Sequence, residues 1–351
     1  MQSPEIIIIG GGLSGLATAY YLEQEGKTAH ILEGRNRLGG RIYTHRSEEG
    51  PPIEMGATWL GKKHHHLMDL LGALDIDIRQ QYMGPKGFYE PMSMVPPQLV
   101  DLPTEEDPTY RIAGGSDNLV QTLADRLNGS QILLDQAVTS LQKNETKCEI
   151  KTEKDLFQAD IVVSTLPPKL LVEQVHITPP LPDDLRNIAA LTDTWMADAI
   201  KVGLTFEKPF WRKPDSSGTI YSNVGPVYEC YDHSSNNRYA LKGFMKEAYH
   251  SVSRARRKKH VIQQLRRYYG EKADHYQRYH ELVWRHEPFS YAPYEQDIIP
   301  HQNNGHSVFQ NSFLDGRLLL SGSETASEFP GYMDGAVESA RRTVRRIKSC
   351  F

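Results

Sequence analysis

The stretch from Glu5 to Glu33 constrains this chain more than any other. Glu5 to Ile9 is a β-branched run, Gly10 to Gly15 is a glycine turn, and Leu13 to Glu25 carries Leu16, Ala19, Tyr20 and Leu22 at helical spacing. After Gly26 the run Thr28 to Leu32 reads as a second buried strand, and it stops at Glu33. Strand, turn, helix and strand predict a βαβ unit with a parallel sheet, and so an α/β fold. Gly10, Gly12 and Gly15 fit G-x-G-x-x-G: the first allows the tight turn, the second lets backbone approach a pyrophosphate, and the third lets helix and strand pack closely. Leu13 and Ser14 open the helix, whose N-terminus would face the phosphates. Glycine triplets also occur in plain loops, so the acid matters. Glu33 lies 18 residues after Gly15, where a carboxylate accepts hydrogen bonds from both ribose hydroxyls and repels a 2'-phosphate. FAD or NAD(H) is therefore expected over NADP(H).

At 351 residues the chain is long enough for two domains. Lys and Arg total 40 against 44 Asp and Glu, a formal charge of -4, which argues against nucleic acid or anionic lipid as partner. Cys148, Cys230 and Cys350 are far apart with no CxxC, so neither a disulfide framework nor a zinc site is indicated. Consecutive His64, His65 and His66 would point in different directions on a helix, and no metal is expected. No apolar run approaches the roughly 20 residues of a membrane span, and Met1 to Pro4 shows no signal-peptide core. A soluble, cytoplasmic protein with no membrane partner is expected.

Leu32-Glu-Gly-Arg-Asn-Arg-Leu-Gly-Gly-Arg41 follows the βαβ unit, and Ile53-Glu-Met-Gly-Ala-Thr-Trp59 comes soon after. Both resemble the flavin-containing amine oxidase family, where the two glycines and arginine sit against the FAD pyrophosphate and the second stretch packs beside the isoalloxazine. Gly39, Gly40 and Arg41, then Gly56, Ala57 and Thr58, match those positions. Arg317 to Ala326 and Gly331 to Ala340 resemble the monoamine oxidase branch. There Glu324 matches the acid at the ribityl chain, and a helix starting near Met333 would aim its N-terminus at the flavin pyrimidine ring. Val138 matches the valine whose backbone meets adenine. The resemblance thus implies FAD.

It also implies a discontinuous Rossmann-type FAD-binding domain over 1–66, 112–190 and 287–351, with an α+β substrate domain from 67–111 and 191–286. Ile112 to Leu127 predicts a glycine turn capped by Ser116 or Asp117, then an amphipathic helix with Leu119, Leu123 and Leu127 on one face. The segment Gln80 to Leu102, rich in aromatics, Met and Pro, could line or cover a substrate cavity, or simply pack against the domain. Ser253 to Tyr269 predicts a helix with Val261, Leu265 and Tyr268 inward and Arg254, Arg256, Arg257, Lys258 and Lys259 largely outward.

Three residues would carry chemistry. Lys201, in the alternating run Ala199 to Phe206, falls on the family lysine that holds a water near flavin N5; facing inward mid-strand, it would be costly without such a partner. Tyr294 and Tyr332 match the two rings of an aromatic cage that admits a small amine, and Trp284 opens the segment leading to Tyr294. Pro293 replaces the cysteine that bonds to the flavin in monoamine oxidases, so non-covalent FAD is expected. The resemblance implies hydride transfer from an amine α-carbon to flavin N5, an imine hydrolysed to a carbonyl product plus ammonia, and dioxygen as acceptor, giving hydrogen peroxide. The alternatives are a desaturase of a porphyrin, carotenoid or other cyclic non-amine substrate, and a non-catalytic flavoprotein.

Overall fold

The computed structural model describes residues 6–350 apart from 49, 104–105, 195, 197, 215, 295–298 and 300. Met1 to Pro4, and Glu5 of the first expected strand, lie outside the described residues. The isoleucine run forms strand Ile6–Ile9, buried throughout, at the centre of a six-stranded sheet. Its neighbours are His30–Leu32 and Ile161–Ser164, both parallel; Gln131–Leu133 lies beyond the first, and Leu318–Leu320 beyond the second. Strand Ser312–Phe313 closes one edge antiparallel.

Strand alternation explains the run. Ile6 and Ile8 pack with Leu16, Val337 and Ala340 of helices Leu13–Gln24 and Met333–Cys350, while Ile7 and Ile9 face Leu171, Leu185 and Phe309. Each isoleucine buried this way contributes about 1.5–3 kcal/mol. The βαβ unit and the C-terminal strand and helix, distant in sequence, thus share one core.

A seven-stranded sheet takes Lys86–Glu90 and Gln98–Asp101 from the first insertion and the other strands from 200–283. Strand Ile200–Phe206, second from one edge, pairs antiparallel with Tyr239–Met245 on one side and the edge strand Tyr276–Val283 on the other. Helix Arg254–Tyr269 covers this sheet with Val261 and Leu265.

Several details depart from the sequence reading. The expected boundary at 67 falls inside helix His65–Ala73, whose Leu67, Leu70 and Leu71 pack in the core of the six-stranded sheet. Leucines spaced for a helix find the nearest apolar face, here that of Met333–Cys350. Arg257 is not outward: it is buried and paired with Glu281 of strand Tyr276–Val283, while its Nη1 donates to the Val252 carbonyl. The segment Gln80 to Leu102 forms a hairpin at the sheet edge, with Met92 and Met94 exposed. Helix Asp117–Arg126 follows Ser116, whose side chain makes no cap, and buries Leu119 and Leu123.

Candidate active site

A cavity of about 380 Å³ runs between the two sheets. One end is lined by Glu33 and Val138, the middle by Gly10, Gly12, Leu13 and Ser14 together with Gly40 and Arg41, and the other end by Ala57, Thr58, Lys201, Tyr332 and Met333. Glu33 is held rigidly, one oxygen accepting from Gly11 N–H at 2.7 Å and the other from Arg35 N–H at 2.9 Å.

The glycines differ in what they permit. A Cβ on Gly15 would lie 2.0 Å from the Gly10 carbonyl oxygen, so this glycine sets the strand-to-helix crossing and does not itself line the cavity. A Cβ on Gly12 would meet no protein atom nearer than 3.9 Å and would project into the space left for a ligand. Gly40, at φ 56°, brings its backbone against Gly12.

Arg41 and Glu324 pair with each other. Nη2 of Arg41 donates to one carboxylate oxygen at 2.9 Å and to Ser323 Oγ at 3.0 Å, and Nη1 donates to the other oxygen. Arg41 lines the cavity, whereas Glu324, 1 % exposed, stands behind it. The guanidinium keeps the Glu324 carboxyl below its usual range against the opposing effect of burial. Gly56 and Trp284 also stand behind the wall: the Gly56 carbonyl accepts from Lys201 Nζ, and the fully buried Trp284 donates from Nε1 to the Met55 carbonyl at 2.7 Å.

Lys201 points inward, only 1 % exposed. Its Nζ donates to the Gly56 carbonyl and sits 4.9 Å from the Phe244 ring centre. Burial pulls its pKa down to about 7, against a smaller pull upward from Glu54. Phe244 is its cross-strand partner, and two residues away Lys242 points to the same face. Lys242 is fully buried, donates to Thr58 Oγ1 at 2.5 Å and lies 4.5 Å from the Trp59 ring centre. Burial, with Lys201 beside it, also pulls Lys242 well below the usual lysine range. Sequence reading passed over both Lys242 and Phe244, yet a lysine inside a buried apolar strand was the available signal.

The two tyrosines do not come together. Tyr332 stands at the cavity rim, 45 % exposed, and the ring stacked on it is His301, 5.5 Å away and 5° from parallel. Tyr294 lies outside the cavity lining: its hydroxyl donates to Asp198, and the cations of Lys169 and Arg285 sit 5.6 and 5.3 Å from its ring centre. A carboxylate acceptor and two cations hold this ring elsewhere, which corrects the expected facing pair. His64 precedes helix His65–Ala73 and packs edge-on against Phe329. Among the described residues no three His, Cys, Asp or Glu side chains converge as metal ligands, and no helix is long and apolar enough to cross a membrane.

This cavity joins a dinucleotide cradle to an apolar pocket with a buried lysine. The family model for flavin containing amine oxidoreductases matches residues 13–90 and 88–348. The chain belongs to this family. It is 24 % identical to a probable flavin-containing monoamine oxidase A of Dictyostelium discoideum, covering 98 % of this chain and 97 % of that one. It is 22 % identical to human flavin-containing amine oxidase B, covering 98 % and 86 % respectively. The fold matches a putrescine oxidase at TM-score 0.83 and 21 % identity, and the cyclohexylamine oxidase of Brevibacterium oxydans at 0.84 and 18 %, each over 99 % of both chains. The first alignment spans 451 positions, so at least 100 of them are gaps in this shorter chain. The chain is thus an FAD-dependent oxidoreductase of the amine oxidase type, and the open cradle at Gly12 beside the anchored Glu33 fits that cofactor.

Proposed function

We propose that this member oxidises a small amine at its α-carbon, with FAD held non-covalently because Pro293 offers no thiol. When bound, FAD would supply a two-electron acceptor for the α-carbon hydride, with dioxygen as terminal acceptor and hydrogen peroxide as its product. Gly10, Gly12, Leu13, Ser14, Glu33, Gly40, Arg41 and Val138 would hold the nucleotide portion, and Ala57, Thr58 and Met333 the ring end. Gly15, Gly56, Trp284 and Glu324 would act by fixing the residues in front of them.

The observation that carries this reading is Lys201, buried at the ring end of the cavity with its pKa pulled down to about 7. A hydride donor must be a neutral amine, yet most free amines are protonated near neutrality. Burial makes Lys201 far more readily neutral than an exposed lysine, and the free electron pair on Nζ can then take the proton of an entering ammonium group. Trp59 and Phe244 keep this end apolar, which further favours the neutral substrate. The Tyr332 and His301 rings flank the entrance, so they would orient the amine as it passes. Water then hydrolyses the released imine to a carbonyl compound and ammonia or a smaller amine.

A peroxide-coupled assay tests this on the FAD-loaded protein. Lys201→Met is expected to retain FAD while amine-dependent peroxide production falls at least tenfold. Wild-type turnover in that variant would remove Lys201 from the reaction.

A further inference from the structure

We propose that a second cleft, walled by Arg79, Arg111 and Arg212, binds a small multiply charged oxyanion, a phosphate monoester or a di- or tricarboxylate. The cleft encloses about 200 Å³ and shares no lining residue with the flavin cavity. The charges in its wall are unequally matched. Arg212 is neutralised by Asp232, donating from Nε at 2.6 Å and from Nη2 at 3.1 Å. Glu54 turns its carboxylate away, toward the Ser116 N–H at 2.5 Å and the Thr44 hydroxyl at 2.8 Å. Arg79 is exposed and donates to the neutral Asn236 Oδ1 at 2.9 Å.

Arg111 is the most poorly satisfied group in the cleft. Its Nη2 donates to the Ser234 carbonyl at 3.2 Å, its buried Nε has no partner, and no carboxylate pairs with it among the described residues. Its Nη1 lies 2.9 Å from Nδ1 of His233. The Glu54 backbone N–H points at the other nitrogen of that ring, Nε2, at 3.2 Å. Burial, with Arg111, Lys242 and Lys201 nearby, keeps this imidazole neutral, so it offers one acceptor nitrogen for which the Arg111 and Glu54 donors compete. A guanidinium with five N–H groups thus reaches the Ser234 carbonyl, one contested ring nitrogen and no carboxylate among the described residues. An oxyanion between Arg111 and Arg79 would take the remaining Nη hydrogens of Arg111 and pair with Arg79.

Calorimetric titration of the FAD-saturated protein in chloride buffer, first with inorganic phosphate and separately with citrate, tests the site. FAD saturation keeps the added anion out of the cofactor cradle. Saturable binding of at least one probe is expected, and which one binds separates the phosphate from the polycarboxylate class. Arg111→Gln should weaken it roughly tenfold or more, while Arg256→Gln, on the exposed face of helix Arg254–Tyr269, should leave it unchanged. Binding of neither anion, or unchanged binding in Arg111→Gln, overturns the proposal. Should that variant fail to fold, the exposed Arg79→Gln decides: weakened binding supports the site and unchanged affinity overturns it.

Discussion

Lys201 sets function against stability. Burial lowers its pKa from 10.5 to about 7, so between those values the unfolded chain binds a proton that the folded chain gives up. Stability should therefore rise as pH climbs from about 7 toward 10.5. Lys201→Met removes a buried amine and should raise the melting temperature at pH 7, by analogy with buried charges whose replacement stabilises by about 1–4 kcal/mol. It should also make the rise with pH shallower. Melting curves of the FAD-loaded proteins at pH 7 and 9 check this; a variant less stable than wild type would mean that Nζ is a net structural anchor. Tyr332→Ala should impair amine turnover far more than FAD content, because the ring stands at the rim against His301. Parallel loss of both would make it a packing residue. Side-chain partners are the part of the site least visible in sequence. The acceptor of Tyr294 is Asp198, 96 positions away, and the pairing depends on how separate segments dock. Arg257 shows the same limit, since a helical pattern carries no trace of Glu281 on the neighbouring strand.

At the scale of elements, the glycine turn was legible because its requirements are local. Gly10, Gly12 and Gly15 answer to backbone geometry within six residues, and the strand Ile6–Ile9 answers to alternation alone. Two glycine variants separate folding from binding. Gly15→Ala would press Cβ into the Gly10 carbonyl and should destabilise the strand–helix crossing itself, whereas the methyl of Gly12→Ala meets no protein atom nearer than 3.9 Å. Gly12→Ala should therefore fold normally and lose FAD affinity, while Gly15→Ala should yield little folded protein. Flavin content and circular dichroism of the two variants distinguish these outcomes, and normal FAD content in Gly12→Ala would contradict the cradle. The Arg41–Glu324 pair ties the loop after the βαβ unit to the segment before Met333–Cys350. Glu324→Gln leaves the guanidinium without its carboxylate and should cost about 3–5 kcal/mol, read as a fall in melting temperature with loss of flavin.

For the whole molecule, the six-stranded sheet collects strands from both ends of the chain, and the seven-stranded sheet takes the two insertions. The family resemblance carried that discontinuity; composition and periodicity could not, because pairing between strands 150 residues apart leaves no local pattern. The contact between the units carries an acid-sensitive pair. The His45 ring lies 3.9 Å from that of His280, tilted by 35°, and burial lowers the His280 pKa to about 4, with His45 and nearby arginines adding to it. As pH falls from 6.5 toward 4 the unfolded chain takes up a proton that the folded chain refuses, so stability should decline across that window. His280→Gln should make the decline shallower in melting curves, and an unchanged slope would place the acid sensitivity elsewhere. The central claim is that this cavity oxidises an amine, and it is tested most directly by mixing the yellow protein anaerobically with aryl-alkyl amines, polyamines and amino acids while following the flavin band. Bleaching by one of these classes, with recovery on admitting dioxygen, is the predicted result; a flavin band that no amine diminishes would contradict the account.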